Sequence, residues 1–232
     1  MESILGLFLQ GQGHSLPHHC QTKSASSISR FFNHYKWSTR SLIRNVRSCI
    51  LNLILSQRKK GRKPTLQVML DLTTLEKVGQ FPQLQDLVRV YHHKKGLHIV
   101  VMYLVIGDWR CPWSFQVDGG KNTPSPSQLG QKLLKTLPKI LTQTFRIYVL
   151  GDNAFGTINL INQIRGDSSN HPWILGIGKN RTLTYGRKVS EIKTRGQQVY
   201  LNDLDIPVFL SWVWLKRDGK RVQRFVISTK PM

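Results

Sequence analysis

Acidic side chains are scarce in this 232-residue chain, with 12 Asp plus Glu against 34 Lys plus Arg, and two of them close apolar, strand-like runs. Asp71 ends Leu66-Gln67-Val68-Met69-Leu70 and is followed by Leu72-Thr73-Thr74. Asp152 ends Phe145-Arg146-Ile147-Tyr148-Val149-Leu150-Gly151 and opens Asn153-Ala154-Phe155-Gly156. Asp is depleted in strands and costly to bury without partners, so Asp71 calls for a reason. Asp152 has a plainer alternative as the cap of a helix starting near Phe155. With Asp71 on the central strand of the first hairpin and Asp152 at the carboxyl end of the adjacent parallel strand, the two groups would converge on one edge of the sheet, where open α/β sheets bind ligands. Hard carboxylate oxygens suit Mg2+ or Mn2+, which keep positions open for water and substrate phosphates. Such ions activate a water or a 3′-hydroxyl and stabilise the leaving oxygen, so no side-chain nucleophile is needed. The Thr73 and Thr74 hydroxyls and the Asn153 amide flank the pair as supporting groups or phosphate contacts. His18-His19 and His92-His93 lack acid or Cys companions at ligand spacing and read as surface histidines.

The elements that must position these residues follow from periodicity. Residues 66–73, 87–91, 97–106 and 113–117 are β-rich and separated by Gly, Asp or basic turns. Residues 127–141 read as a helix capped by Ser127, with Leu129, Leu133, Leu134 and Leu137 on one face. Residues 146–150 make the next strand and 155–164 the next helix. Three antiparallel strands, a helix, a buried strand and a helix is the order of a ribonuclease-H-like α/β fold, a mixed sheet with flanking helices. Beyond it, 173–177, 198–200, 207–215 and 221–228 are again strand-like and read as a β-rich insertion over about 172–228. Trp109, Trp113, Trp173, Trp212 and Trp214 read as core.

Ahead of this region the texture is different. The first 63 residues hold eleven Lys/Arg and one acid, Glu2. Residues 24–35 and 39–57 carry helix-like apolar spacing. Ser15-Leu16-Pro17, the polar link 21–24 and the Ser/Arg-rich helix after it fit a helix-turn-helix with Ser26, Ser27, Ser29 and Arg30 facing DNA, and the alternative is a small bundle with a solvated basic face. The domain reading is therefore a basic helical region over 1–63 and a ribonuclease-H-like domain over 64–232. Arg30, Arg40 and Arg44 on the helices, the run Arg58, Lys59, Lys60, Arg62 and Lys63, and the turn residues Lys94 and Lys95 are the candidate DNA contacts.

The net charge of +22 and pI of about 10.4 draw the chain to polyanions through counterion release. No apolar run reaches the roughly 18–20 residues of a spanning helix, so no membrane role is expected. The start lacks a basic n-region and a small-residue cleavage site. Cys20, Cys49 and Cys111 are scattered, without CxxC spacing, as in a reducing cytoplasm.

At these residues the chain resembles the DDE-type transposases of bacterial insertion sequences, those with a β-rich insertion in the catalytic domain. Leu70-Asp71-Leu72-Thr73-Thr74 looks like the first acidic motif and Leu150-Gly151-Asp152-Asn153-Ala154-Phe155-Gly156 like the second. Phe225-Val226-Ile227-Ser228-Thr229-Lys230-Pro231 looks like the strand leading out of the insertion, and Ser29-Arg30-Phe31-Phe32-Asn33-His34-Tyr35-Lys36-Trp37 like the DNA-binding portion. The resemblance implies metal-dependent cleavage and strand transfer at element ends, with Asp71 and Asp152 as catalytic groups and ligands to Mg2+ or Mn2+. It implies double-stranded DNA with terminal inverted repeats as partner, homo-oligomers on DNA, and a bacterial, nucleoid-associated protein of the cytoplasm. The family's third ligand is a glutamate on a helix after the insertion, whereas this sequence stops at Pro231-Met232; Glu191 and Asp218 do not take its place. The expectation is a C-terminally truncated copy with impaired transfer. The alternative is a catalytically inactive DNA-binding fragment that occupies element ends or inhibits an intact transposase.

Overall fold

The computed structural model describes residues 24, 26, 27, 30, 34, 38–58, 61, 63–76, 86–91, 94–166, 171–217 and 219–232. The chain divides into two compact units, Met1–Ser48 and Cys49–Met232. In the first, Ser26, Ser27, Arg30 and His34 are helical, while Ser29 lies outside the described residues. Helix α1, Thr39–Ser56, starts behind Ser38, whose hydroxyl accepts the Ser41 amide at 3.2 Å. That satisfies one of the donors a helix start leaves unpaired.

The second unit is organised by a nine-stranded mixed sheet. Its strands are β1 Thr65–Glu76, β2 Val88–Tyr91, β3 Lys94–Ile106, β4 Trp109–Val117, β5 Arg146–Gly151, β6 Trp173–Ile177, β7 Gln197–Tyr200, β8 Pro207–Arg217 and β9 Lys220–Ser228. The order is β2-β3-β1-β5-β6-β9-β8-β7, with β4 also paired to β3. β3 runs antiparallel to β1, β2 and β4, whereas β5 is parallel to β1 and β6 parallel to β5. An antiparallel group followed by two parallel strands on the far side of β1 is the ribonuclease-H-like arrangement. The strands after residue 172 form no separate layer. β6 joins the parallel set, and β9, β8 and β7 continue the same sheet.

Between β4 and β5 lie α2, Pro126–Leu134, and α3, Lys139–Thr144; α4, Ile158–Gly166, follows β5. A helix over 127–141 was expected, and the structure breaks it. The hydroxyls and amides around Thr136 turn the chain, and Pro138, which has no amide proton to donate, stands outside α3. The cap is Ser125 rather than Ser127. Its hydroxyl takes the Gln128 amide while the Gln128 side chain takes the Ser125 amide, a capping box with Pro126 at the first helical position.

One face of the sheet carries the core. Along β1, Leu66, Val68 and Leu70 are buried and alternate with half-buried Gln67, Met69 and Asp71. Val100, Met102 and Leu104 on β3, Ile147 and Val149 on β5, and Trp173 and Leu175 on β6 extend the buried face. α2 closes over it: a methyl at Gly130 would sit 3.1 Å from Leu70 Cδ1 and from the Phe155 ring. Each fully buried aliphatic side chain here stabilises the fold by about 1.5–3 kcal/mol relative to exposure. Ile54 of α1 belongs to the same core. Of the tryptophans expected there, Trp113 and Trp173 are buried. Trp212 is partly buried against the core, while Trp109 and Trp214, toward the turns of the β3–β4 and β8–β9 hairpins, are 51% and 53% exposed.

Candidate active site at the carboxyl edge of the parallel strands

The register of β1 and β5 brings the two aspartates together. Leu70 pairs with Gly151, so Asp71 and Asp152 take the next position on adjacent parallel strands. Side chains alternate between faces with a period of two, and Met69 opposite Leu150 fixes both aspartates on the face away from the core. Each lies within the other's electrostatic reach: the Asp71 charge raises the pKa of the Asp152 carboxyl.

The loop that presents Asp152 is built by close backbone approach. Asp152 Oδ1 accepts the Ala154 amide at 2.9 Å, and its carbonyl accepts the Phe155 amide at 3.0 Å, a tight turn closed on its own aspartate. Phe155 is fully buried and anchors the loop. A Cβ at Gly156 would stand 2.0 Å from the Gly176 carbonyl oxygen. One at Gly176 would stand 2.5 Å from the Asn153 amide nitrogen and 2.7 Å from the Asp152 carbonyl carbon. Glycine at both positions lets the loop rest on β6. Asp152 is not the cap of α4, since the Thr157 hydroxyl oxygen accepts the Leu160 amide at 3.4 Å.

Partial desolvation is the largest influence on Asp152 and pushes its pKa up. The Ala154 amide opposes that shift, Asp71 adds to it, and Arg224 opposes it. The side chain does reach water, yet the loop and sheet edge displace enough solvent to disfavour its charge. Asp71 has no hydrogen bond or ion pair among the described residues. Tyr103, opposite Met69, shares the face of Asp71. Burial and the Asp71 charge raise its phenol pKa, against the Arg110 guanidinium 5.8 Å from its ring. It is therefore a neutral hydrogen-bond donor at neutral pH.

The donor set fits a hard divalent cation: two carboxylates on one face, one free of protein partners and one with an oxygen to spare, at a place where negative charge is under-compensated. Among the described residues no group of three or more His, Cys, Asp and Glu side chains is placed to hold a metal. Glu191 is engaged elsewhere, its carboxylate accepting the Lys188 amide at 3.1 Å, and Asp218 lies outside the described residues. Thr74 turns to the other face and bonds His98 Nδ1 at 3.0 Å, whereas Thr73 stays on the face of Asp71.

The candidate DNA contacts spread more widely. Arg30, Arg40 and Arg44 are exposed in the first unit. Arg58 and Lys63 are exposed in the second, and Lys63, eight residues before Asp71, stands about 26 Å from it along the strand direction, beyond the amino edge. Lys95 is exposed on β3 past the end of β1, about 20 Å from Asp71 on the carboxyl side. The backbone of Lys94 belongs to β3; its side chain, together with Lys59, Lys60, Arg62, His92 and His93, lies outside the described residues. Sequence reasoning missed Tyr103, Arg110 and Arg224. The first two carry a legible signal, their place on the consecutive strands β3 and β4 after β1, while Arg224 depends on the long-range pairing of β9 with β6.

Comparison with known proteins adds likenesses of low similarity. No protein-family model matches the chain, and no curated protein matches it. Among solved structures it is similar to piggyBac transposase in a synaptic complex with hairpin DNA, at 17% identity and a TM-score of 0.45 over 89% of this chain and 43% of that one. It is also similar to the Mos1 strand transfer complex, at 14% identity and a TM-score of 0.28 over 75% and 57% of the two chains. A third is an Argonaute from Marinitoga piezophila in complex with 5′-OH guide RNA, at 11% identity and a TM-score of 0.28 over 75% and 24%. The chain spans less than two thirds of the length of each. All three TM-scores fall below one half, and none carries weight for activity. Among the described residues no helix is long and apolar enough to cross a membrane, which leaves β-barrels unaddressed.

Proposed function

We propose that this chain is the ribonuclease-H-like core of a transposase, acting on DNA phosphodiesters with Mg2+ or Mn2+ held by Asp71 and Asp152. The observation that carries the reading is the register of these two carboxylates on one face, Asp71 within β1 and Asp152 one residue past the carboxyl end of the parallel β5, just after the Leu70–Gly151 pair. When bound, the metal supplies an activated water or 3′-hydroxyl and stabilises the leaving oxygen. The chain's own groups do the rest. Asp152, fixed by the Ala154 amide, presents its remaining oxygen, and Asp71, unengaged by other side chains, is free to turn both of its oxygens to the ion. Tyr103 keeps its proton and donates to a phosphate oxygen. The glycine-seated loop holds Asp152 against β6. Residues 1–63 and the lysines at 94–95 would guide double-stranded DNA with terminal inverted repeats through the +22 field, in a nucleoid-associated protein of the bacterial cytoplasm.

The test is nicking of supercoiled plasmid and of an end-labelled duplex, with magnesium or manganese, by wild type, Asp71→Ala and Asp152→Ala. Wild type is expected to nick only with the divalent ion, and each variant to lose at least about 100-fold in rate, beyond the roughly 10–100-fold that losing a mere hydrogen-bond partner of a metal ligand costs. Binding of all three proteins to the duplex without nicking by any of them would sink the nuclease reading. The chain would then be a DNA-binding protein that occupies element ends. The absence of a third ligating side chain among the described residues is the observation that favours this second reading.

A further inference from the structure

The sheet carries a third charged group to the same edge. β6 pairs antiparallel with β9, Gly176 opposite Val226 and Ile177 opposite Phe225, so Arg224 lies just past the carboxyl end of β6. The faces follow by alternation. Leu150 pairs with Ile174, Ile174 with Ser228, and Gly176 with Val226. Leu150, Asp152, Gly176, Val226 and Arg224 therefore share one face, the face of Asp71. Phe225, between Val226 and Arg224, points to the other face and is buried against Trp212, with ring centroids 6.0 Å apart. That packing holds the β9 backbone while the neighbouring Arg224 side chain stays exposed.

Arg224 makes no hydrogen bond or ion pair among the described residues, yet its charge reaches the Asp152 carboxyl. The loop after β6 carries exposed Lys179. That loop is pinned by the Ser190 amide on the Lys179 carbonyl and the Val189 amide on the Arg181 carbonyl, both at 3.0 Å. An arginine with free donors on a fixed strand, next to carboxylates that cannot themselves bind an anion, matches the fork geometry of a phosphate.

We propose that Arg224 forms a phosphate subsite that grips the DNA backbone two strands away from Asp152, across β6, and fixes the register of the bond presented to the two aspartates. It rests on the reading of this edge as a DNA-cleaving site. The subsite itself is an anion-binding claim and can be read without cleavage.

The experiment measures binding of a fluorescent 20-base-pair duplex by the full chain, without magnesium or manganese, across a range of sodium chloride concentrations. The proteins are wild type, Arg224→Gln, Arg224→Lys and Lys139→Gln. Lys139 is an exposed cation at the start of α3, at the amino end of β5, away from the site. Loss of one phosphate contact lowers the slope of log K against log salt by about 0.9. Arg224→Gln is expected to show that loss with an unchanged melting temperature, Arg224→Lys to restore most of the slope, and Lys139→Gln to match wild type. An Arg224→Gln slope equal to wild type overturns the subsite. So does an equal loss in Lys139→Gln, because the effect would then belong to overall charge. A slope loss confined to Arg224→Gln in a wild type that never nicks DNA keeps the subsite and removes the nuclease.

Discussion

Replacing Asp152 with asparagine isolates the electrostatic strain at the site. Asparagine keeps an oxygen for the Ala154 amide, so the loop hydrogen bond at 2.9 Å survives and only the charge is lost. Adjacent strands lie about 4.8 Å apart, which sets neighbouring carboxylates roughly 5–6 Å from one another. At that separation two like charges repel by about 0.7 kcal/mol in water and about 3 kcal/mol at an effective dielectric constant of 20. Because Asp152 reaches solvent, the watery end of the range applies, and the variant gains about 0.5–1 kcal/mol. For a unit of this size that is a rise in melting temperature of about 1–4 °C at pH 7.

The pH dependence follows from the direction of the shift. The folded-state pKa of Asp152 lies above its ordinary value of 3.8, so the folded chain holds the proton more tightly than the unfolded one. Wild-type stability therefore falls as pH rises from 3.8 through the raised value, and the advantage of the variant opens over that window. Below the window both states are protonated and the advantage vanishes. Magnesium at ten times its dissociation constant would add about 1.4 kcal/mol to wild type, so its addition should reverse the order of the two proteins. Thermal melts at pH 3 and pH 7, with and without magnesium, decide the matter. An asparagine variant no more stable than wild type at pH 7 in metal-free buffer, or an advantage of the same size at pH 3, would refute the reasoning.

Two further outcomes follow from the scaffold. Gly176→Ala places a methyl 2.5 Å from the Asn153 amide nitrogen, a backbone atom that cannot swing aside, and should cost about 1–3 kcal/mol in chemical denaturation while displacing Asp152 and abolishing any nicking. Ser125→Ala removes the hydroxyl half of the capping box on α2 and should cost about 0.5–2 kcal/mol in the same assay, with nicking retained.

The strands were legible because their chemistry is local. Trp173–Ile177 was bounded to the residue by its apolar run, and the alternation Leu66, Val68, Leu70 marked both the strand and its buried face. The aspartates stood out because carboxylates at the ends of such runs have few structural uses. The helix over 127–141 was misjudged where apolar spacing continued through Leu137 although Pro138 cannot donate to a helix. Ser125 caps two residues ahead of the expected Ser127 because Pro126 takes the first helical position, where its fixed backbone angle suits the helix and its missing amide proton costs nothing. Arg224 was invisible for a different reason. Its role depends on which strand β9 pairs with and in what register, and no window of sequence holds that information.

The central place of β1 has a consequence for how the protein is made. β1 acquires β3 as a neighbour from the following stretch of chain, but its other neighbour, β5, ends some 75 residues after β1 does. At about 5–20 residues per second on a ribosome, the Asp71 strand waits roughly 4–15 s with one edge open. Parallel pairing across so long a connection is also slow to nucleate. The two aspartates thus come together late in synthesis, after the antiparallel hairpins have formed and before the β8–β9 hairpin has emerged. During that interval the vulnerable surface of the nascent chain is the unpaired edge of β1.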